Sequence, residues 1–398
     1  LGGAVAGSSS FLAACGASGG GGGDAGGAVK FGINEAKGSG PAYDRLKLIA
    51  DAYKKKAGVD VSLNAVDHNT FQENINTYLQ GTPDDVFTWF AGFRMNQFAE
   101  KGLIADVSDV WPIDGMNESF KKAATASDGK QYFVPISYYP WAVFYNKAVW
   151  AKKGYEVPTT YDDLTALMKK MKSDGISPFA FGDKDGWPAM GTFDILNMRL
   201  NGFDFHMSLM AGDEAWDGAQ VKKVFDTWKG LLEYHQPDPL GRTWQEAATS
   251  MGKGESGMYL LGTFVIDAVP DQAADLDFFT FPELDSNIGS DALDAPIDGF
   301  CMSAAAKNKA GGTELLKFLG TAEAADAGNK ASAPFIAANS NASTAAYSAL
   351  QKKSAEVVGA AKSIAQFLDR DTRSDFASTV MIPSIQEFLK NPNDIDGL

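Results

Sequence analysis

One stretch decides how this chain is divided: Asp128-Gly129-Lys130-Gln131-Tyr132-Phe133-Val134-Pro135, followed by Ile136-Ser137-Tyr138-Tyr139-Pro140-Trp141-Ala142-Val143-Phe144-Tyr145-Asn146-Lys147. It begins as an Asp-Gly turn and becomes a β-branched and aromatic run that Pro135 and Pro140 interrupt. Because a proline cannot donate a hydrogen bond to a sheet, we expect this run at an edge or as a connector rather than as a central strand. The stretch therefore predicts a crossing between two bodies.

A helix whose N-terminus is marked by a capping pattern is predicted after the crossing. Thr160 and Asp163 form a capping-box pattern just after Pro158. Apolar residues then recur at helical spacing, namely Tyr161, Leu164, Leu167, Met168 and Met171. The order strand, connector, helix is thus predicted for the middle of the chain.

Ahead of the crossing, strand and helix patterns alternate. Strands are predicted near residues 29–33, 59–65 and 86–90, and helices near 46–53 and 71–79. This alternation predicts a mainly parallel sheet with helices on both faces, in which ligands bind beyond the carboxyl ends of the strands.

Those strand ends carry polar and aromatic residues: Asn34-Glu35, Asp67-His68-Asn69 and Trp89-Phe90. We expect them to meet at one rim and to form a pocket for a hydroxyl-rich ligand. Trp89 fits core packing and a site role equally well. A lone histidine is usually structural, but the position of His68 at a strand end favours the site.

The second body contains more loop. Phe181-Gly182-Asp183-Lys184-Asp185-Gly186-Trp187-Pro188 presents a tryptophan, and it shares only the Asp-x-Asp-Gly core of calcium loops, so we expect no metal there. Thr243-Trp244-Gln245-Glu246 predicts a capped helix to about residue 251. A strand at 257–261 then leads to Gly262-Thr263-Phe264. We expect Pro296-Ile297-Asp298-Gly299-Phe300 to return the chain to the first body, followed by a helix at 315–318.

Composition narrows the classes of function. A chain of 398 residues exceeds one ordinary core, so two domains are expected. A net charge of -15 disfavours nucleic acid and anionic membrane surfaces and suits a neutral or cationic ligand. No phosphate-binding loop, zinc helix or Cys-x-x-Cys motif occurs in the sequence, so we expect no cofactor. Cys301, in an apolar run, is expected to be a buried structural thiol.

The N-terminal residues are read separately from the folded domains. Leu12-Ala13-Ala14-Cys15 matches a bacterial lipobox, in which the cysteine becomes the lipidated N-terminus. The glycine-rich residues 16–27 then predict a flexible tether. Since no run of 18 apolar residues occurs, we expect membrane attachment only through a lipid on Cys15, outside the cytoplasm.

Several of these segments carry a family resemblance. The first motif is the crossing, with Tyr145-Asn146-Lys147 followed by Gly154, Pro158, Thr160 and Asp163. The second is the segment at residues 83–102, and the third is the Gly-Glu-Ser-Gly-Met-Tyr run before Gly-Thr-Phe. Over residues 28–390 the chain resembles the extracellular solute-binding proteins of bacterial sugar ABC importers. At position 264 the family usually has a tryptophan that often stacks on a sugar, and this chain has phenylalanine.

The resemblance implies a two-lobed α/β fold of the periplasmic-binding-protein type (type II-like), hinged between lobes built from discontinuous segments. The implied division is residues 1–27 as signal remnant and tether, 28–139 plus 299–333 as the first lobe, and 140–298 plus 334–398 as the second. A chain reversal is implied near Asn329-Lys330-Ala331-Ser332-Ala333-Pro334. The expected ligand-binding residues are Asn34, Glu35, His68, Asn69, Trp89, Phe90, Trp187, Trp244, Phe264, Asp298 and Lys330.

Three functions fit the sequence. The first is a lipid-anchored receptor that binds a mono- or oligosaccharide and delivers it to ABC permease subunits; aromatic rings would stack on sugar faces and polar side chains would bind hydroxyls. The second is a secreted carbohydrate-active enzyme, which needs two placed carboxylates. The third is a surface adhesion protein, for which repeats or apolar patches are expected. The receptor accounts for the anchor, the tether, the charge and the motif order together, so it is the function that we expect, without enzymatic activity.

Overall fold

The computed structural model describes residues 27–398, and Cys15 and most of the predicted tether lie outside this range. Its strands are β1 (Val29–Ile33), β2 (Val61–Ala65), β3 (Val86–Phe90), β4 (Val134–Tyr138), β5 (Trp141–Asn146), β6 (Ser177–Phe179), β7 (Ser256–Gly262), β8 (Leu276–Phe279), β9 (Ala292–Asp294), β10 (Ile297–Met302) and β11 (Ser363–Ala365).

The helices flank these strands. They are α1 (Pro41–Ala57), α2 (His68–Gln80), α3 (Phe93–Glu100), α4 (Glu118–Ala123), α5 (Lys147–Lys153), α6 (Tyr161–Ser173), α7 (Pro188–Asn201), α8 (Phe203–Ala211), α9 (Ala219–Leu231), α10 (Trp244–Lys253), α11 (Val265–Ala268), α12 (Lys309–Leu319), α13 (Ala322–Gly328), α14 (Ala349–Ala360), α15 (Leu368–Asp371), α16 (Ser374–Phe376) and α17 (Ile382–Lys390). Within residues 27–398, no helix combines the length and the apolar character needed to cross a bilayer.

Two main sheets form the centres of the two lobes. The first has the order β2-β1-β3-β10-β4, and the second has the order β6-β7-β5-β8. In each sheet all strands but one run the same way, as predicted. The exceptions are β10 and β5, with which the chain enters each lobe from the other. A strand that enters from the cleft must run away from it, whereas the others run toward it.

The prediction for the opening stretch is half confirmed. Strand β4, which contains Pro135, is the edge of the first sheet, and the pairing register shifts beside it between Asp298 and Gly299. The prediction is wrong for β5, which lies inside the second sheet between β7 and β8. Pro140 precedes β5 rather than lying within it, so every N–H of β5 remains available for the sheet.

Local signals placed the helices well. The capping boxes Thr160/Asp163 and Thr243/Glu246 both form, and they begin α6 and α10. Each such pair satisfies two backbone N–H groups that the first turn of a helix would leave unpaired. Cys301 is fully buried and free, as predicted.

Each sheet has its own apolar core. The first core is built on residues from β1, β3, β4 and β10, and the second on residues from β5, β7 and β8. The exact lobe boundaries remain a prediction. A few residues near them pack with the core of the lobe to which they were not assigned. Ile297 and residues 337–342 pack with the first core rather than the second, and Ala333 packs with the second rather than the first. The reason for Ile297 is that β10 already pairs with Tyr138 at this residue.

Candidate ligand-binding cavity

A cavity of about 380 Å³ lies where the strand ends of the two lobes face each other. Every predicted ligand-binding residue except Lys330 lines it, namely Asn34, Glu35, His68, Asn69, Trp89, Phe90, Trp187, Trp244, Phe264 and Asp298. Lys330 follows the end of α13 and is exposed to solvent. Pro334 and Phe335, a few residues later, are the part of that turn that reaches the cavity.

The first lobe contributes a polar wall at the ends of β1, β2 and β3. Asn34, 7% exposed, receives a 2.9 Å hydrogen bond from the Thr88 hydroxyl. The side-chain nitrogens of Asn34 and Gln72 lie 3.2 and 2.8 Å from the two ring nitrogens of His68. Burial and the nearby Arg370 lower the pKa of His68 to about 4, so the imidazole is neutral at pH 7. This wall can exchange hydrogen bonds with an uncharged ligand.

The second lobe contributes an aromatic wall centred on Phe264. Its ring contacts those of Tyr139, Trp141, Trp187 and Trp244 at centroid distances of 5.4, 5.9, 6.0 and 5.2 Å. Trp187 also reaches across the cleft to within 6.5 Å of the His68 ring. Trp187, Trp244 and Phe264 are half-buried, so part of each ring remains free to stack on a ligand.

The rings of two predicted aromatic residues are too buried to stack on a ligand. Trp89 is 1% exposed and packs against Phe71 and Phe98, so core packing explains it. Phe90 is 3% exposed, and the guanidinium of Arg370 lies 3.9 Å from its ring centroid. They are the last two residues of β3, all of whose side chains are buried, and they line the cavity from beneath.

Sequence reasoning missed the C-terminal segment that carries Asp369 and Arg370 into the cavity. Arg370 donates hydrogen bonds of 3.0 Å to Asp298 and 3.2 Å to the Tyr139 hydroxyl. At Gly92 a Cβ atom would lie 2.6 Å from the carbonyl oxygen of Arg370, and φ is +103°, so only glycine permits this approach. The Asp-Arg-Asp run at 369–371 has no periodicity or motif that would have indicated the site.

Three ion pairs around the cavity join the body of the first sheet, in which Asp298 lies on β10, to the body of the second. Arg45 pairs with Asp267 at 3.0 Å, Arg94 with Asp369 at 3.1 Å, and Arg370 with Asp298 at 3.0 Å. Each acidic partner lines the cavity. Because these carboxylates are already neutralised by arginine, the cavity gives no reason to expect a strongly charged ligand.

The other histidines lie outside the cavity lining. His206 is fully buried beside Asn197, with 3.1 Å between the Asn197 amide nitrogen and His206 Nδ1. His235 packs on Phe181 at 4.4 Å between ring centroids. Burial lowers both pKa values to about 3. The three histidines therefore do not meet in one site.

Residues 37–326 match the family model described as bacterial extracellular solute-binding protein. An ABC transporter extracellular-binding protein of Pyrococcus horikoshii, itself uncharacterized, is 29% identical over 254 residues, which cover 62% of this chain and 56% of the relative. A probable sugar-binding periplasmic protein of Mesorhizobium japonicum is 28% identical over 43% of this chain and 42% of its own length. The aligned region thus spans about half the length of these relatives.

Solved structures match over nearly the whole chain. The bacterial solute receptor AcbH, described as having an exclusive substrate preference for β-D-galactopyranose, superposes with a TM-score of 0.89 at 43% identity, covering 93% of this chain and 95% of AcbH. A chitin oligosaccharide binding protein superposes with a TM-score of 0.80 at 21% identity, covering 92% and 95%, and shows the same fold.

Proposed function

Since the chain belongs to the bacterial extracellular solute-binding protein family, we propose that it is the receptor of an ABC importer that captures a galactopyranose-type monosaccharide between its lobes. The observation that carries this proposal is the pairing of an aromatic wall with a neutral polar wall across one cavity. An aromatic ring can cover the apolar face of a pyranose, while amide, imidazole and carboxylate groups bind its hydroxyls.

The size of the cavity favours a small sugar. A volume of about 380 Å³ lies near the lower end of the roughly 300–1,000 Å³ of small-molecule sites. The likeness to a receptor for β-D-galactopyranose at 43% identity favours galactose over longer saccharides. Delivery of the sugar to permease subunits is part of the same proposal. So is the absence of enzymatic activity, because a receptor does not need to stabilise a transition state.

We expect galactose to raise the melting temperature of the pure protein more than glucose, xylose or a disaccharide does. A ligand at 100 times its dissociation constant stabilises the folded state by about 2.7 kcal/mol. Thermal-shift screening followed by calorimetry measures this, and chromatography checks that the sugar is recovered intact after long incubation. Hydrolysis of the disaccharide to its monosaccharides, or no response to any saccharide, would contradict the proposal.

We also propose that Cys15 carries a lipid anchor, as its lipobox pattern indicates. If so, Cys15→Ala in the full-length precursor should release the protein from the membrane fraction. Fractionation followed by mass spectrometry of the mature N-terminus measures this, and Cys301→Ala, which removes the buried cysteine, is the matched control. The anchor would be excluded if the Cys15→Ala variant stayed in the membrane fraction and the parent carried no lipid mass on Cys15.

A further inference from the structure

Glu35 differs from the other carboxyl groups of the cavity. Asp267, Asp298 and Asp369 each pair with an arginine, and Asp67 accepts a hydrogen bond from the backbone of Thr70 at the start of α2. Glu35 is half-buried and lines the same cavity, yet among residues 27–398 no side chain or backbone group forms a hydrogen bond or ion pair with its carboxyl group. Its oxygens are therefore available to a ligand.

The groups around Glu35 oppose its ionisation. Burial has the largest effect, and the carboxylates of Asp267, Asp298 and Asp67 act in the same direction, while Arg45 partly offsets them. Together these groups raise the pKa of Glu35 to about 7. Without sugar, the protonated form of this side chain therefore persists to a higher pH than it does for an ordinary glutamate.

We infer that Glu35 contacts the sugar directly and releases a proton when the sugar binds, so that capture is coupled to pH. This inference rests on the proposed function. A sugar hydroxyl that donates to a carboxylate forms a stronger hydrogen bond than one that donates to a neutral acid. Binding therefore favours the ionised form of Glu35 and lowers its pKa. His68 does not contribute above pH 5, because its pKa is about 4.

The release of a proton fixes the sign of the pH dependence. If binding lowers the pKa of Glu35 by about one unit, affinity rises roughly sevenfold between pH 5.5 and pH 8, and roughly 0.4 proton is released per sugar at pH 7. Calorimetry with galactose at three pH values, in buffers of different ionisation enthalpy, measures both quantities on the full chain.

Two variants identify the responsible carboxyl group. Glu35→Gln should bind galactose with the same affinity at pH 5.5 and pH 8 and release no proton. Asp183→Asn is the matched control, because burial raises the pKa of Asp183 to about 7 as well, but this residue is not part of the cavity lining. The control should keep the pH dependence of the parent.

Melting without sugar gives a second readout. The raised pKa of Glu35 lowers the stability of the parent as pH rises through the window from about 4.5 to 7, because the folded state there binds the proton more tightly than the unfolded state does. Glu35→Gln should therefore melt above the parent at pH 8 and close to it at pH 4.

The outcomes separate this inference from the function on which it rests. Galactose binding that is independent of pH, proton uptake on binding, or a pH dependence that survives in Glu35→Gln would overturn the role of Glu35 and leave the receptor intact. Failure of every sugar to bind at any of these pH values would overturn both.

Discussion

Replacing Arg370 with methionine is expected to weaken galactose binding roughly 30- to 150-fold, which corresponds to about 2–3 kcal/mol. The guanidinium donates to Asp298 and Tyr139 and covers the ring of Phe90, and it is 8% exposed. Its removal leaves Asp298 in the cavity without its positive partner. Burial already raises the pKa of this carboxyl, and Arg370 is the main group that opposes this rise.

Stability should fall together with affinity. Removing one partner of a buried ion pair costs about 3–5 kcal/mol, and the Asp298 side chain is 33% exposed, so we expect about 2 kcal/mol here. Chemical denaturation measures this loss, and calorimetry at a temperature where the variant remains folded measures the affinity.

Arg373→Met is the matched control for this variant. Arg373 is three residues away and pairs with Asp375, but both side chains are more than 60% exposed, at 66% and 61%. An exposed pair of this kind contributes at most about 1 kcal/mol, so the control should bind galactose as the parent does. A folded Arg370→Met protein with parental affinity would show that the C-terminal segment does not hold the ligand.

The features that sequence predicted correctly depend on neighbours along the chain. The capping pair Thr160 and Asp163 is three residues apart. The polar residues after β1 and β2, and the aromatic pair that ends β3, follow directly from where those strands end. A parallel arrangement of strands then brings those ends to one rim without any knowledge of long-range contacts. This is why the residues predicted at these strand ends all line the cavity.

The features that sequence missed depend on contacts between distant segments. Arg370 meets Asp298 and Tyr139 across 72 and 231 residues, and Arg94 meets Asp369 across 275. Nothing local distinguishes such charges from solvated ones. Lys330 is the reverse case, because its predicted role rests on a basic residue beside a predicted turn, and the structure places this residue in solvent outside the cavity lining.

Replacing Trp187 with alanine is expected to weaken galactose binding by about 2 kcal/mol, or roughly 30-fold. Trp187 follows the turn at Gly186 and packs against Trp141, Trp244 and Phe264 at centroid distances of 6.0–6.3 Å. It is also the aromatic of this wall that contacts His68 of the first lobe. The substitution therefore removes a stacking surface and a contact that closes the cleft at the same point.

Trp187→Phe separates these two effects, because it keeps an aromatic face of smaller area and should recover much of the lost affinity.

Trp216→Ala is the control for stability. Trp216 is also half-buried and stacks on Phe193 at 5.7 Å, but it lies outside the cavity lining. It should lower the denaturation midpoint without changing the dissociation constant for galactose. If Trp187→Ala behaved like Trp216→Ala, the aromatic wall would support the fold of the second lobe rather than the sugar, and stacking would have to come from Trp244 and Phe264 alone.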